Sequence, residues 1–325
     1  MDYLDNVDVP KHKQRERSER HVINIENTLE RFKDFLKKNN LNAKTFPIEN
    51  IDDNIVGKFY EYCENLTNSV SSFNHHMKIM RAFINYVLDE HKISMRNPFR
   101  KINLKYEEPE KIIVTKEEFG SFLEKVSPDN SVQEFRNEEK KKIYKKNRYR
   151  PWLKNAYKLA ILSGRRREDV LHLRWSDIHE EDGKPVFIEC TDHKADRLSN
   201  YAKSKATVKA YIPVIPQLRE LLYEMGYDEN KGSSEFIIGQ DERLNRASMI
   251  KLMSSAFSLF WKKVETTKKA TQKALRKTYF TAIEKHTLGA AIGISNHSRS
   301  DVLQKHYIDR KEIAKELSKL DIRFY

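Results

Sequence analysis

Leu162-Ser163-Gly164-Arg165-Arg166-Arg167-Glu168-Asp169-Val170-Leu171-His172-Leu173-Arg174-Trp175-Ser176-Asp177-Ile178 joins two helical runs across a glycine. Upstream, Leu153, Tyr157, Ala160 and Ile161 recur at helical spacing over residues 152–162. Ser163-Gly164 ends that run, because glycine lets the backbone turn sharply. Downstream, residues 167–173 read as a further helix leading into Trp175. Arg166 therefore projects from a helix start, and Asp169 follows one turn later, placed to hold its guanidinium.

A second stretch carries complementary chemistry. Lys273-Ala274-Leu275-Arg276-Lys277-Thr278-Tyr279-Phe280-Thr281 opens with two cations three residues apart, which share one face of a helix. Two fixed cations can clamp the non-bridging oxygens of a phosphodiester. His297 and then Tyr307 follow, and a tyrosine hydroxyl can attack phosphorus and store the broken bond as a phosphotyrosine. Alone, a Lys-x-x-Arg pair is common in basic helices, and a tyrosine near a C-terminus is usually a packing residue.

Composition narrows the class. The chain has 325 residues, which suits about two domains with sizeable cores. Lys plus Arg outnumber Asp plus Glu by 61 to 48, a net charge of +13 that points to a polyanionic partner, most simply nucleic acid. Cys63 and Cys190 lie far apart without metal-ligand spacing, so neither a disulfide framework nor a zinc site is expected. No apolar run approaches the ~20 residues of a membrane span, and residues 1–20 lack the apolar core of a secretion signal. A cytoplasmic, intracellular protein without membrane contact is expected.

Outward from the two stretches, the chain divides as follows. Residues 1–20 read as a flexible charged arm, and 21–98 as a helical domain. Its first helix carries Val22, Ile25, Leu29, Phe32 and Leu36, and ends at Asn39-Asn40. A second helix spans about 51–65 and a third about 69–89. The third sets His75, His76, Lys78 and Arg81 opposite its apolar stripe, a face that suits a DNA groove or bulk solvent. Residues 99–113 are aperiodic and read as a linker. Thr115-Lys116-Glu117-Glu118 is a capping box that opens the domain at 114–325. The strongly basic segment 133–150 reads as a surface loop or a phosphate-contacting helix. Residues 185–189 and 210–214 read as strands joined by a lysine-rich segment. The class is mainly α with a small antiparallel β-sheet. A C-terminal stripe of Ile313, Leu317 and Leu320 suits docking on its own domain or on a neighbouring subunit.

The stretch 162–178 resembles the first signature box of the tyrosine recombinases, the phage-integrase family. That box reads Thr-Gly-x-Arg-x-x-Glu-Leu followed by Leu-x-Trp-x-Asp-Ile. Ser163 falls on the Thr, Arg166 on the catalytic arginine, Asp169 on the supporting acid and Trp175-Ser176-Asp177-Ile178 on the tail. The second box, His-x-x-Arg, resembles the run from Lys273 to Arg276, with Lys273 where His is usual, a substitution found among archaeal mobile-element integrases. His297-Ser298 resembles the Gly-His-Ser element, with Asn296 in place of Gly, and Tyr307 follows at the spacing of the nucleophile. The family's loop lysine falls best on Lys205, eight residues before Pro213, with Lys203 as the alternate.

The resemblance implies a helical, SAM-like core-binding domain followed by a recombinase catalytic domain. It implies a site-specific integrase acting on double-stranded DNA as a homo-tetramer, with neither metal nor other cofactor. Tyr307 would form a 3′-phosphotyrosine, Arg166 and Arg276 would hold the phosphate, and Lys205 would protonate the leaving 5′-oxygen. His297 would hydrogen-bond a phosphate oxygen. A cationic Lys273 is a poorer base than neutral His, so its role would be electrostatic. A Xer-like dimer resolvase shares this chemistry, and an inactive DNA-binding descendant is the reading from another class. Covalent trapping on DNA separates them.

Overall fold

The computed structural model describes residues 19–67, 69–107, 112–137, 142–193, 209–287, 318–319 and 323–325. The chain divides into two compact units, Met1–Pro109 and Glu110–Tyr325. Both are mainly helical, and antiparallel strands occur only in the second among the described residues.

The first unit is built on α1 (Glu19–Lys38), α2 (Asp53–Leu66) and α3 (Val70–Glu90). Asp52 and Ser69 cap α2 and α3 by accepting from the amides of Ile55 and Ser72. Helical spacing puts Phe32, Phe35, Phe59 and Phe73 into one core, where the Phe32 and Phe59 rings meet edge-on at 4.9 Å. After α3 the backbone turns through a 3₁₀ segment, Pro98–Lys101, whose Phe99 closes that core. Arg81 holds this turn by donating to the carbonyls of Phe99 (2.9 Å) and Ile102 (3.1 Å).

The second unit opens on α4 (Lys116–Lys125) with the expected capping box. The Thr115 hydroxyl accepts from the Glu118 amide (3.2 Å), and Glu118 accepts from the Thr115 amide (2.9 Å). The basic segment that follows is neither loop nor helix. It forms a hairpin of β1 (Val132–Asn137) and β2 (Lys142–Asn147), in which Glu134 faces Lys145 and Phe135 faces Tyr144. Cross-strand pairing and the Lys146 and Arg148 cations over the Phe135 ring offset the repulsion among its lysines.

Helix α5 (Leu153–Ser163) is the centre of this unit. Leu153, Ala156, Tyr157 and every residue from Leu159 to Ser163 are buried, and Phe122 and Phe257 pack on Tyr157. The short α6 (Arg167–His172) follows directly. Then come β3 (Ile178–Glu181), β4 (Lys184–Thr191) and β5 (Lys209–Pro213), an antiparallel sheet in that spatial order with Ile178 opposite Ile188 and Ile188 opposite Ile212. Strand β3 was not anticipated from the sequence. Its turn is Asp182-Gly183, both with positive φ (50° and 73°), the type I′ geometry that fits a tight hairpin. Helices α7 (Pro216–Glu224), α8 (Tyr227–Asn230), α9 (Arg246–Trp261) and α10 (Lys273–Thr287) complete the described core.

The chain's last residues pack on this same unit. Gln217 accepts from the Phe324 amide (2.6 Å) and donates to the Tyr325 carbonyl (3.0 Å), and the Phe324 ring stacks on Tyr279. The stripe of Ile313, Leu317 and Leu320 lies outside the described residues. Among the described residues, no helix is long and apolar enough to cross a membrane.

Candidate active site

The site is organised around Gly164, where α5 ends. Gly164 has φ +60°, a left-handed conformation that glycine adopts without strain. It also lies against the fully buried Tyr279 ring of α10, so closely that a Cβ there would fall 2.2 Å from Tyr279 Cδ1. The glycine thus turns the chain and lets α10 approach the α5–α6 junction.

Two arginines meet this junction from different elements. Arg166 is the N-cap residue of α6, and its Nη1 donates to both carboxylate oxygens of Asp192 (2.7 and 2.9 Å). Its Nε and Nη2 make no hydrogen bond among the described residues, so one edge of the fork is held and the other is open. Arg276 comes from the first turn of α10 and donates from Nη1 to the Gly164 carbonyl (2.6 Å), with its guanidinium over the Phe280 ring. Burial, together with the charges of Arg165 and Arg166, lowers Arg276 to about 9, so it remains a cation at neutral pH. Arg165 itself is 2% exposed.

Asp169 does not hold Arg166. It is 2% exposed and accepts from the backbone amide of His193 (3.2 Å), while its Oδ2 has no hydrogen-bond partner. Its carboxyl is raised, by burial first and then by the Asp192 charge. The arginine is held by Asp192 instead, a buried carboxylate that the end of β4 brings beside the start of α6. Nothing in the sequence marked Asp192 beyond its place directly after an apolar strand. Arg165, at the variable position of the box, was also missed.

Lys273 stands at the start of α10, exposed and one turn before Arg276. The structure therefore brings together Arg166, Asp169 and Arg276, with Lys273 on the helix that carries Arg276. Lys203, Lys205, His297 and Tyr307 lie outside the described residues. Tyr279 is a packing residue: it is fully buried, and burial pushes its phenol up.

The four residues expected on one polar face of α3 divide. Lys78 is exposed and His75 is half-buried. His76 is 8% exposed and bonded to Thr28 and Arg31, and Arg81 is taken up by the carbonyls after α3. The last two are tied into their own unit because their helix positions turn toward α1 and the Pro98 turn rather than outward.

Residues 5–106 match the phage integrase SAM-like domain. The whole chain resembles lambda integrase (residues 75–356), solved as a dimer bound to a COC′ core site, with a TM-score of 0.58 and 17% identity over 90% of this chain and 93% of that one. At this identity the likeness is one of fold. The Tn1549 transposon integrase in complex with transposon right-end DNA shares this fold at TM-score 0.56 and 15% identity, covering 94% of each chain. The XerH site-specific recombinase bound to a palindromic difH substrate shares it at 0.53 and 16%, covering 92% and 77%. No curated protein matches the chain by sequence. In this chain the α5–α6 junction and α10 supply the two arginines from segments more than a hundred residues apart.

Proposed function

We propose that this protein is a site-specific tyrosine recombinase that cuts and rejoins double-stranded DNA through a 3′-phosphotyrosine, as the integrase of a mobile element. One observation carries the reading. Two arginines from separate elements converge on Gly164, one with an open donor edge and the other half-buried yet cationic. Such fixed donors match the charge that builds on a phosphodiester under attack.

In the reaction, the Tyr307 hydroxyl gives up its proton to solvent water as its oxygen attacks the scissile phosphorus, the bond to the 5′-oxygen breaks, and Lys205 donates the proton that the leaving oxygen takes up. Arg166 contacts a non-bridging oxygen through Nε and Nη2 while Asp192 keeps its other edge in place. Arg276 takes a second oxygen. Lys273 and His297 add positive charge and hydrogen bonds around the phosphate, and Lys203 contacts the DNA backbone beside them. Attack by a partner strand's hydroxyl reverses the chemistry and conserves the bond energy. A lambda integrase tetramer has been solved on a Holliday junction. A homo-tetramer on two DNA sites is the assembly proposed for this chain, acting within the cell that holds the DNA. Lys78 and His75 on α3 lie on the proposed DNA side of the first unit.

The test is covalent trapping on a nicked suicide duplex. Wild type forms a protein–DNA adduct, and Tyr307→Phe retains DNA binding but forms none, since one oxygen is lost and little packing. An adduct from the Phe variant moves the nucleophile elsewhere. Retardation without any adduct from wild type identifies a binder rather than an enzyme.

A further inference from the structure

Arg31 on α1 donates from Nη1 to Nε2 of His76 (3.0 Å) and forms no ion pair among the described residues. The adjacent Glu30 is turned instead to Lys33 (2.7 Å). The tautomer of His76 follows from its other partner. Thr28 donates its single hydroxyl proton to the Asn24 carbonyl (2.8 Å), so its oxygen accepts from the Nδ1–H of His76 (2.8 Å). Nε2 then carries the lone pair that receives Arg31. Burial pushes His76 down to about 4, and the Arg31 and His75 charges act in the same direction, so the imidazole is neutral at pH 7. A neutral imidazole orients a guanidinium without neutralising it.

Arg31 lines a cleft of about 470 Å³ bounded by α1, α2 and α3, together with Asn24, Asn27, Glu30, Asp34 and His75 and with Tyr62 and Leu66 of α2. His75, which lines the same cleft, has a buried Nε2 with no hydrogen-bond partner among the described residues. A folded protein rarely leaves such a group unpaired without a ligand or water to meet it.

We infer that Arg31 is a base-reading residue, held by His76 and Thr28 so that its guanidinium fork meets the O6 and N7 of a guanine in the major groove. The inference rests on the recombinase reading and deepens it. Two features favour a base edge over a phosphate. Glu30 and Asp34 line the cleft and would repel a phosphate, whereas base edges are neutral and offer donors as well as acceptors. The Asn24 and Asn27 amides suit the same mixed pattern. His76, which the sequence placed on the DNA face, becomes a positioning residue, because its ring is spent on Thr28 and Arg31.

The test is selection from randomised duplexes by the full-length chain and its variants. Wild type enriches a site with a guanine that Arg31→Ala no longer prefers, a loss of about 5- to 100-fold in discrimination at one base pair. Arg31→Lys keeps the stem and the charge, so it retains overall affinity but loses the same preference, which a folding defect would not produce. His76→Phe weakens preference at that base pair and adds nothing to Arg31→Ala. An unchanged consensus from Arg31→Ala overturns the inference and leaves the recombinase reading standing. Uniform weakening across all sequences, with a shallower salt dependence, overturns it in favour of a phosphate contact. A wild-type chain with no sequence preference overturns both.

Discussion

Gly164→Ala tests how the site is assembled. Two independent costs apply. A non-glycine residue held at φ +60° costs roughly 1–2 kcal/mol. The new Cβ would lie 2.2, 2.7 and 2.8 Å from Tyr279 Cδ1, Cγ and Cε1, whereas carbon contacts settle at about 3.5–4.0 Å. The ring would have to retreat by more than an ångström. It is fully buried, with Phe324 stacked on it and Phe280 against it, so overpacking of about 1–3 kcal/mol applies. The sum is ~2–5 kcal/mol. Its midpoint, about 3.5 kcal/mol, corresponds to a Tm lowered by roughly 7–14 °C for a unit of this size. Calorimetry on the full-length chain measures this. Pairing the change with Tyr279→Leu removes the clash, so the double variant should lose clearly less than the two single losses added together. Because the Gly164 carbonyl accepts from Arg276, covalent cleavage should also fall at temperatures where the variant is still folded. A Tm within about 2 °C of wild type, with normal cleavage, would refute the assembly described here.

Three further outcomes are expected. Arg166→Ala or Arg276→Ala should slow cleavage by roughly 100-fold or more while weakening DNA binding far less, and equal losses would reassign them to ordinary anchoring. On a 5′-bridging phosphorothiolate, whose thiolate leaves without a proton donor, Lys205→Ala should return to near wild-type rate; Lys203→Ala should show little defect on either substrate, and Lys273→Ala should be impaired on both. His76 makes the first unit acid-sensitive: its folded value of about 4 lies below its ordinary 6.5, so the stability it contributes is complete above 6.5 and is lost as pH falls from there through 4. The loss approaches ~3 kcal/mol, and denaturant unfolding near pH 7 and pH 4.5 should show His76→Gln losing much less across that window.

Much of the architecture was legible because it follows from local periodicity. The stripe of Ile25, Phe32 and Leu36, the capping box at Thr115 and the helix stop at Gly164 depend on neighbours within a turn or two. Two elements were missed for definite reasons. The β1–β2 hairpin is so rich in lysine that its alternation is hidden, and it is stabilised by pairing across strands. Strand β3 is only four residues long, although its Asp182-Gly183 turn was a readable signal.

At the proposed site, sequence alone picked out Arg166 and Arg276, which stand in recognisable local patterns, each beside the element that projects it. Tertiary structure decided their partners. Asp192 rather than Asp169 holds Arg166, Gly164 serves Tyr279 and Arg276 as well as the turn, and His76 turns inward to fix Arg31. The reason is one of range. Propensity, capping and periodicity act over a few residues, and the chain spells them out. A carboxylate at a strand end, or a ring against a glycine more than a hundred residues away, becomes a neighbour only when packing brings the elements together.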